Sequence, residues 1–269
     1  VTRAIKYQFG DGYLPYVQFG DSRGVPLVII PGWSDALDPV RGRGRARMAK
    51  WRFRGLRRFR VIVPSRPVPT NMGRSTREMA DDLFRFLSAK KALPANIMGV
   101  SMGGFIAQYL AIDHPDAVRK LLLGVSVAHV DERLRERIET WETLLQNGQW
   151  AEFSRSVVTQ VYTPRPPIAY RWMLPLLGLL RRKPKDIDRF LAHTAACKTH
   201  DSRDALGDIR CPTLAIGGQD DRIARPEKVR EMAEMISDAR LEILSDCGHG
   251  TFEQKNRECN ALMRSFFGA

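Results

Sequence analysis

The chain has 269 residues and carries 43 Lys and Arg against 30 Asp and Glu, a formal charge of +13. Hydrophobic residues make up 43% of it, which excludes wholesale disorder and predicts one large α/β domain, or a domain carrying a smaller insert. The strongest apolar run, residues 172–180, is short and interrupted by Pro175, so no membrane span is expected.

The first ten residues hold no apolar signal core, which favours a cytoplasmic protein. Apolar runs at 5–9 and 14–19 flank Gly10-Asp11-Gly12 and predict an opening hairpin. A third run covers 27–30. Between Arg41 and Arg60 lie ten basic residues and no acidic one. Met48, Trp51, Leu56 and Phe59 recur there at spacings of three to five, so the leading expectation is a solvated helix face behind an Arg-Gly-Arg-Gly-Arg loop. The alternatives are an anionic ligand or surface, and nucleic acid. No zinc-finger spacing or aromatic RNA-binding signature supports the last, and no specific nucleic-acid partner is expected.

Further apolar runs at 61–63, 97–100, 121–125, 213–217 and 241–244 end in Gly, Pro or polar loops. Runs apolar on both faces predict parallel strands covered by helices. Helical patterns lie between them, at 78–87 with Met79, Leu83, Phe86 and Leu87 on one side, and at 102–112, apolar nearly all round. The last helix is expected to open at Thr251-Phe-Glu-Gln254, a capping-box spacing, and to bury Leu262, Met263, Phe266 and Phe267. The alternation predicts an open, mostly parallel sheet flanked by helices. Residues 129–203 break it: they are helical in pattern, rich in Trp and Arg, and carry Pro164, Pro166, Pro167, Pro175 and Pro184. They are expected to form a helical cap inserted between the core segments 1–128 and 204–269. The apolar stretch around Trp172 and Leu176 would roof an acyl-chain pocket, or else pack against the core or a second copy in a homodimer. Cys197, Cys211, Cys247 and Cys259 show no C-x-x-C spacing and are expected to be reduced and mostly buried.

The decisive motif is Gly99-Val100-Ser101-Met102-Gly103, between an apolar run and a helical one. G-x-S-x-G suits a nucleophile on a sharp strand-to-helix turn, where side chains two residues before and after would collide. A nucleophilic serine needs a base, and the base an orienting acid. Of the five histidines, His249 stands out, in Asp246-Cys-Gly-His-Gly250 after the last apolar run. His114 reads as a loop residue. His129, His193 and His200 lie in or beside the expected cap and read as structural or solvent-facing, although His129 follows a strand end and could line the site. For the acid, Asp220 and Asp221 both follow the 213–217 run, and spacing alone does not separate them.

With these motifs in the order Ser…Asp…His, the chain resembles the α/β-hydrolase superfamily, esterase- and lipase-like, over almost its whole length. The resemblance includes Ile29-Ile-Pro-Gly-Trp-Ser34, the serine elbow, Cys211-Pro-Thr-Leu-Ala-Ile-Gly-Gly218 and the closing Cys-Gly-His-Gly. In the family the acid is followed by one residue and then an aliphatic one, so Asp221-Arg222-Ile223 implies Asp221, with Asp131 the fallback that a few relatives would suggest. The resemblance also implies an oxyanion hole from the backbone N–H groups of Trp33 and Met102. Two segments depart from the family: Pro31-Gly32 replaces His-Gly, and Pro64-Ser65-Arg66-Pro67 replaces Asp-x-Arg-Gly. The implied reaction is acyl transfer through Ser101, His249 and Asp221 on a small ester or other acyl substrate, without metal or cofactor. Carboxylic-ester hydrolysis leads; thioester, lactone or carbon–carbon cleavage, and a binding protein with little turnover, are the alternatives. Arg41, Arg43 and Arg45 would then sit near the site's mouth and draw in anionic substrates.

Overall fold

A computed structural model describes residues 4–37, 53–69, 73–163 and 186–268. Eight strands form one sheet: β1 (Ile5–Phe9), β2 (Gly12–Gly20), β3 (Pro26–Ile30), β4 (Arg60–Pro64), β5 (Ala95–Val100), β6 (Val118–Gly124), β7 (Thr213–Gly218) and β8 (Ala239–Leu244). Their order across the sheet is β1-β2-β4-β3-β5-β6-β7-β8. β1 and β2 form the expected hairpin, β2 runs antiparallel to β4, and every later pairing is parallel. The central strands are buried on both faces and so read as unbroken apolar runs. β8 differs: it is an edge strand, half-buried along most of its length, with Arg240 exposed.

The described helices are α1 (Ser34–Leu37), α2 (Thr76–Ala89), α3 (Met102–Asp113), α4 (Glu132–Gln146), α5 (Trp150–Val161), α6 (Ile187–Lys198), α7 (Pro226–Glu234), α8 (Thr251–Gln254) and α9 (Asn256–Gly268). α3 is buried nearly all round and packs against β3, β5 and β6. Between β6 and β7 the described residues include α4, α5 and α6, where a simple crossover needs one helix. α4, α5 and α6 share a small aromatic core with α1, built on Trp141, Phe153 and Phe190.

Register fixes where the functional edge lies. Ile30 pairs with Gly99, Val100 with Gly124, Gly124 with Ile216, and Gly218 with Leu244. The parallel strands therefore end nearly in step, and the loops after β3, β5, β6, β7 and β8 share one edge. In open α/β sheets that carboxyl edge is where ligands bind.

One local expectation is corrected. The Thr251-x-x-Gln254 spacing makes no capping box: Gly250 is the N-cap of α8 and makes no side-chain cap bond. Thr251 Oγ1 instead donates to the Gly248 carbonyl, and Gln254 Oε1 accepts the Gly248 N–H at 3.0 Å. Both side chains serve the preceding loop, and the helix ends at Lys255 before α9 begins. The capping box lies at Ser75–Glu78, starting α2 with both reciprocal bonds. The basic run is described only from residue 53 onward. There it forms a 3₁₀ turn (Arg54–Leu56), with Phe53, Leu56 and Phe59 buried; the expected helix face around Met48 and Trp51 lies outside the described residues. Arg41, Arg43 and Arg45 lie outside the described residues, as do Trp172 and Leu176.

Candidate active site

Ser101 follows β5 directly and carries φ 53° and ψ −124°. A positive φ is costly for any residue with a Cβ, and such strain concentrates at functional turns. The turn is held by Ser101 N–H donating to Gly124 O at 2.8 Å and by Gly104 N–H donating to Ser101 O at 2.7 Å. The flanking glycines are obligatory: a Cβ on Gly99 would stand 2.5 Å from Gly103 O, and one on Gly103 only 2.2 Å from Ile30 O.

His249 arrives from the loop between β8 and α8. Its Nε2 lies 2.9 Å from Ser101 Oγ, and its Nδ1 lies 2.8 Å from Asp221 Oδ2. Asp221 sits just beyond β7 with its side chain fully buried. Its other oxygen, Oδ1, accepts the N–H groups of Ile223 at 2.8 Å and Ala224 at 3.0 Å. That bracing aims Oδ2 at the ring. With the carboxylate accepting from Nδ1–H, Nε2 has its lone pair free for the serine proton. Asp220 does not reach the ring; its backbone N–H donates to Cys247 O, and its carbonyl accepts from Thr163 Oγ1.

Trp33 and Met102 both line the cavity onto which Ser101 opens. Gly32 presses against Ser101, since a Cβ there would lie 3.2 Å from Ser101 Cβ. Met102 is the first residue of α3, where backbone N–H groups have no partner within the helix. The cavity's described wall is mostly apolar, with Phe105, Val125, Leu134, Ile138 and Trp141 contributing. Ser126 also lines it, and its hydroxyl donates to Ser101 O at 3.1 Å.

Behind the Gly32–Trp33 loop lies a buried ionic cluster. Asp35 Oδ2 accepts from Arg189 Nη2 at 2.8 Å and lies 3.2 Å from Arg66 Nη1; Asp35 Oδ1 accepts from Ser65 Oγ. Burial would raise the Asp35 pKa, but Arg66, Arg189 and the Ser65 hydroxyl overcome it and hold the group at about 2. His193 is buried beside them, and burial together with both arginines pushes its pKa down to about 2.

Two residues named from the sequence are not at this site. His129 forms an isolated β-bridge with Asp201, its ring faces Glu231 at 3.9 Å, and it does not line the cavity. Asp131 caps α4 through Leu134 N–H and pairs with Arg225. His193 and His200 are buried structural rings, and His114 stacks on Phe84. Sequence reasoning missed the α4 wall, although Leu134, Ile138 and Trp141 recur at helical spacing. It also missed Asp35 and Arg189, which carry no local signal.

A family model described as alpha/beta hydrolase fold matches residues 25–256. The 2-hydroxy-6-oxo-6-phenylhexa-2,4-dienoate hydrolase of Comamonas testosteroni is 29% identical over 187 residues, covering 64% of this chain and 62% of that enzyme. The aligned stretch thus spans less than two thirds of that relative. A pimeloyl-acyl-carrier-protein methyl ester esterase of Neisseria meningitidis serogroup B is 27% identical over 188 residues, covering 67% of this chain and 71% of that one. The crystal structure of the enol-lactonase from Burkholderia xenovorans LB400 superposes with a TM-score of 0.82 at 19% identity, covering 98% of this chain and 100% of that one. At that identity the likeness concerns the fold alone. Among the described residues no helix is long and apolar enough to cross a membrane, and all four cysteines are buried.

Proposed function

The chain belongs to the α/β-hydrolase fold family, and from that premise we propose that it is a serine hydrolase cleaving carboxylic esters through an acyl-enzyme. One observation carries the reading: the unbroken chain from Asp221 Oδ2 through both nitrogens of His249 to Ser101 Oγ, at 2.8 and 2.9 Å. Both spacings are hydrogen-bonding distances, which is what proton transfer from a nucleophile requires.

In the first half-reaction His249 Nε2 takes the Ser101 proton as Oγ attacks the ester carbonyl. The Trp33 and Met102 N–H groups receive the oxyanion, and Asp221 holds the imidazolium that forms. His249 then hands the proton to the departing alkoxide, which leaves as the alcohol. In the second half water repeats the attack on the acyl-enzyme, with His249 again as base, and releases the acid and Ser101 Oγ–H. Loss of one oxyanion donor in such a site costs about 3 kcal/mol in the transition state.

The described cavity wall supports an uncharged, apolar acyl or alkyl group in the pocket. Carbon–carbon cleavage of a dienone acid is the second reading, favoured by the dienoate hydrolase relative. Its substrate carries a carboxylate, whereas among the described residues Arg66 and Arg189, behind the loop, are already bonded to Asp35. That favours the ester. Residues 129–203 act as a cap in this reading, resting on Trp33 through Phe190 and Trp141, with ring centroids 4.5 and 5.4 Å away.

The test is a series of p-nitrophenyl esters of increasing acyl length, with Ser101→Ala as control. Turnover that disappears in the control is expected. Inactivity of the folded protein across the whole series contradicts the ester assignment.

A further inference from the structure

We propose that Arg66 is a positioning residue for the oxyanion hole, acting from behind the Gly32–Trp33 peptide to aim and polarise the Trp33 N–H. The inference rests on the serine-hydrolase reading above and adds a residue that the reading does not need.

The geometry starts from a single peptide unit. The carbonyl of Gly32 and the N–H of Trp33 belong to the same plane, and in a trans peptide they point in opposite directions. Whatever pins the carbonyl therefore decides where the N–H looks. Arg66 Nη1 donates to Gly32 O at 3.0 Å, and Asp35 N–H donates to the same oxygen at 3.2 Å. Gly32 meanwhile lies against Ser101, and Trp33 lines the cavity. Two donors thus grip the back of the unit whose front faces the reacting centre.

Arg66 is itself held rigidly. It is 5% exposed, its backbone N–H donates to Asp35 Oδ2 at 3.1 Å, and its guanidinium lies 3.2 Å from the same oxygen. Arg189, from α6, ties the assembly to the chain beyond β4 through Pro67 O at 2.7 Å and Arg66 O at 3.3 Å. Asp35 lies in α1, two residues beyond the donor, so carboxylate, guanidinium and peptide form one unit. A local ion pair needs none of this direction toward Gly32 O.

The charge matters as well as the direction. A cationic donor on a carbonyl polarises the whole amide, and hydrogen bonds in a chain strengthen one another in a low-dielectric interior. Arg66 and Arg189 share the single Asp35 carboxylate, so the buried cluster keeps a net positive charge behind the peptide. As the oxyanion develops on the far side of the peptide, the polarised N–H and the fixed positive charge both act on it, without reorganisation at the moment of reaction. The neutral ester in the ground state gains little from either. Arg66 should therefore affect kcat rather than KM.

The experiment combines two measurements on the full chain. Arg66→Gln and Arg66→Lys are assayed for kcat and KM on a p-nitrophenyl ester and for inhibition by an alkyl trifluoromethyl ketone, whose serine adduct carries an oxyanion. For Arg66→Gln the inference expects kcat and ketone affinity to fall together by roughly 10- to 100-fold with KM nearly constant, and a smaller loss for Arg66→Lys. A folded Arg66→Gln variant that keeps both, or loses only in KM, overturns it. The second measurement needs no variant of Arg66. With ¹⁵N-tryptophan labelling and Trp33→Phe for assignment, the Trp33 backbone amide should move downfield on adduct formation more than those of the other four tryptophans. Fluorophosphonate labelling of Ser101 with a stationary Trp33 amide overturns this inference and leaves the triad reading standing. Absence of labelling at Ser101 overturns both.

Discussion

Gln254 Oε1 accepts the N–H of Gly248 at 3.0 Å, one residue before the histidine that reaches Ser101, while its Nε2 donates to Thr163 O at 3.2 Å. One amide thus ties the His249 loop to the end of α5. Gln254→Ala removes both bonds and leaves the Gly248 N–H without its acceptor. The expected outcome is a stability loss of about 1–3 kcal/mol and a several-fold fall in kcat, read by urea unfolding and ester turnover. Unchanged kcat would mean that the loop is held by its backbone contacts alone.

Asp221 and Asp220 are adjacent, yet only Asp221 faces the imidazole. Asp221→Asn should lower kcat by about 10³- to 10⁴-fold, because the amide favours the wrong tautomer of His249. Asp220→Asn alters a half-buried side chain with no bond to His249 and should leave kcat close to that of the parent. Steady-state kinetics of the two variants decides between them.

The backbone of Ser101 holds φ 53°. Glycine adopts that region without the steric cost borne by a residue with a Cβ. Ser101→Gly should therefore be more stable than Ser101→Ala by about 1 kcal/mol, although both lack the hydroxyl. Chemical denaturation of the pair measures the strain stored at the turn. Equal stability would place the cost elsewhere.

His193 and His200 are buried, and burial lowers their pKa values to about 2 and about 3. In the unfolded chain each takes up a proton near pH 6.5. The unfolded state therefore binds more protons as pH falls below that value, and stability must fall with it. The slope approaches about 1.4 kcal/mol per pH unit for each ring once the unfolded histidines are charged. Asp35 adds nothing in this window; its contribution is present above the ordinary carboxylate range and is lost only as pH falls through about 2. Urea unfolding at pH 7.5, 6.0 and 5.0 should show the decline, and His200→Gln should reduce its slope. Stability independent of pH across that range contradicts the assignment of two neutral rings.

Much of this architecture is legible in the residues themselves. The central strands are apolar on both faces because the sheet is covered on both, and Gly99 and Gly103 stand at the one spacing the elbow permits. His249 is legible because its loop lies between the last strand and the last helices. Asp221 is separated from Asp220 by the two N–H groups that brace Oδ1, a feature of side-chain direction that spacing does not encode. Thr251-x-x-Gln254 misleads for the opposite reason: its spacing is that of a capping box, but both side chains are drawn to the Gly248 peptide. Asp35 and Arg189 were invisible, since they lie 154 positions apart and only the tertiary fold brings them together. The ten-charge basic run, prominent in composition, falls mostly outside the described residues.

The central claim is that Ser101 is a nucleophile activated by His249. Its most direct test is stoichiometric labelling with an alkyl fluorophosphonate, followed by intact-mass measurement and peptide mapping. The account predicts one adduct per chain on the peptide containing Ser101, abolished in Ser101→Ala and strongly slowed in His249→Ala. A folded chain that takes up no label, or takes it up at another residue, would contradict it.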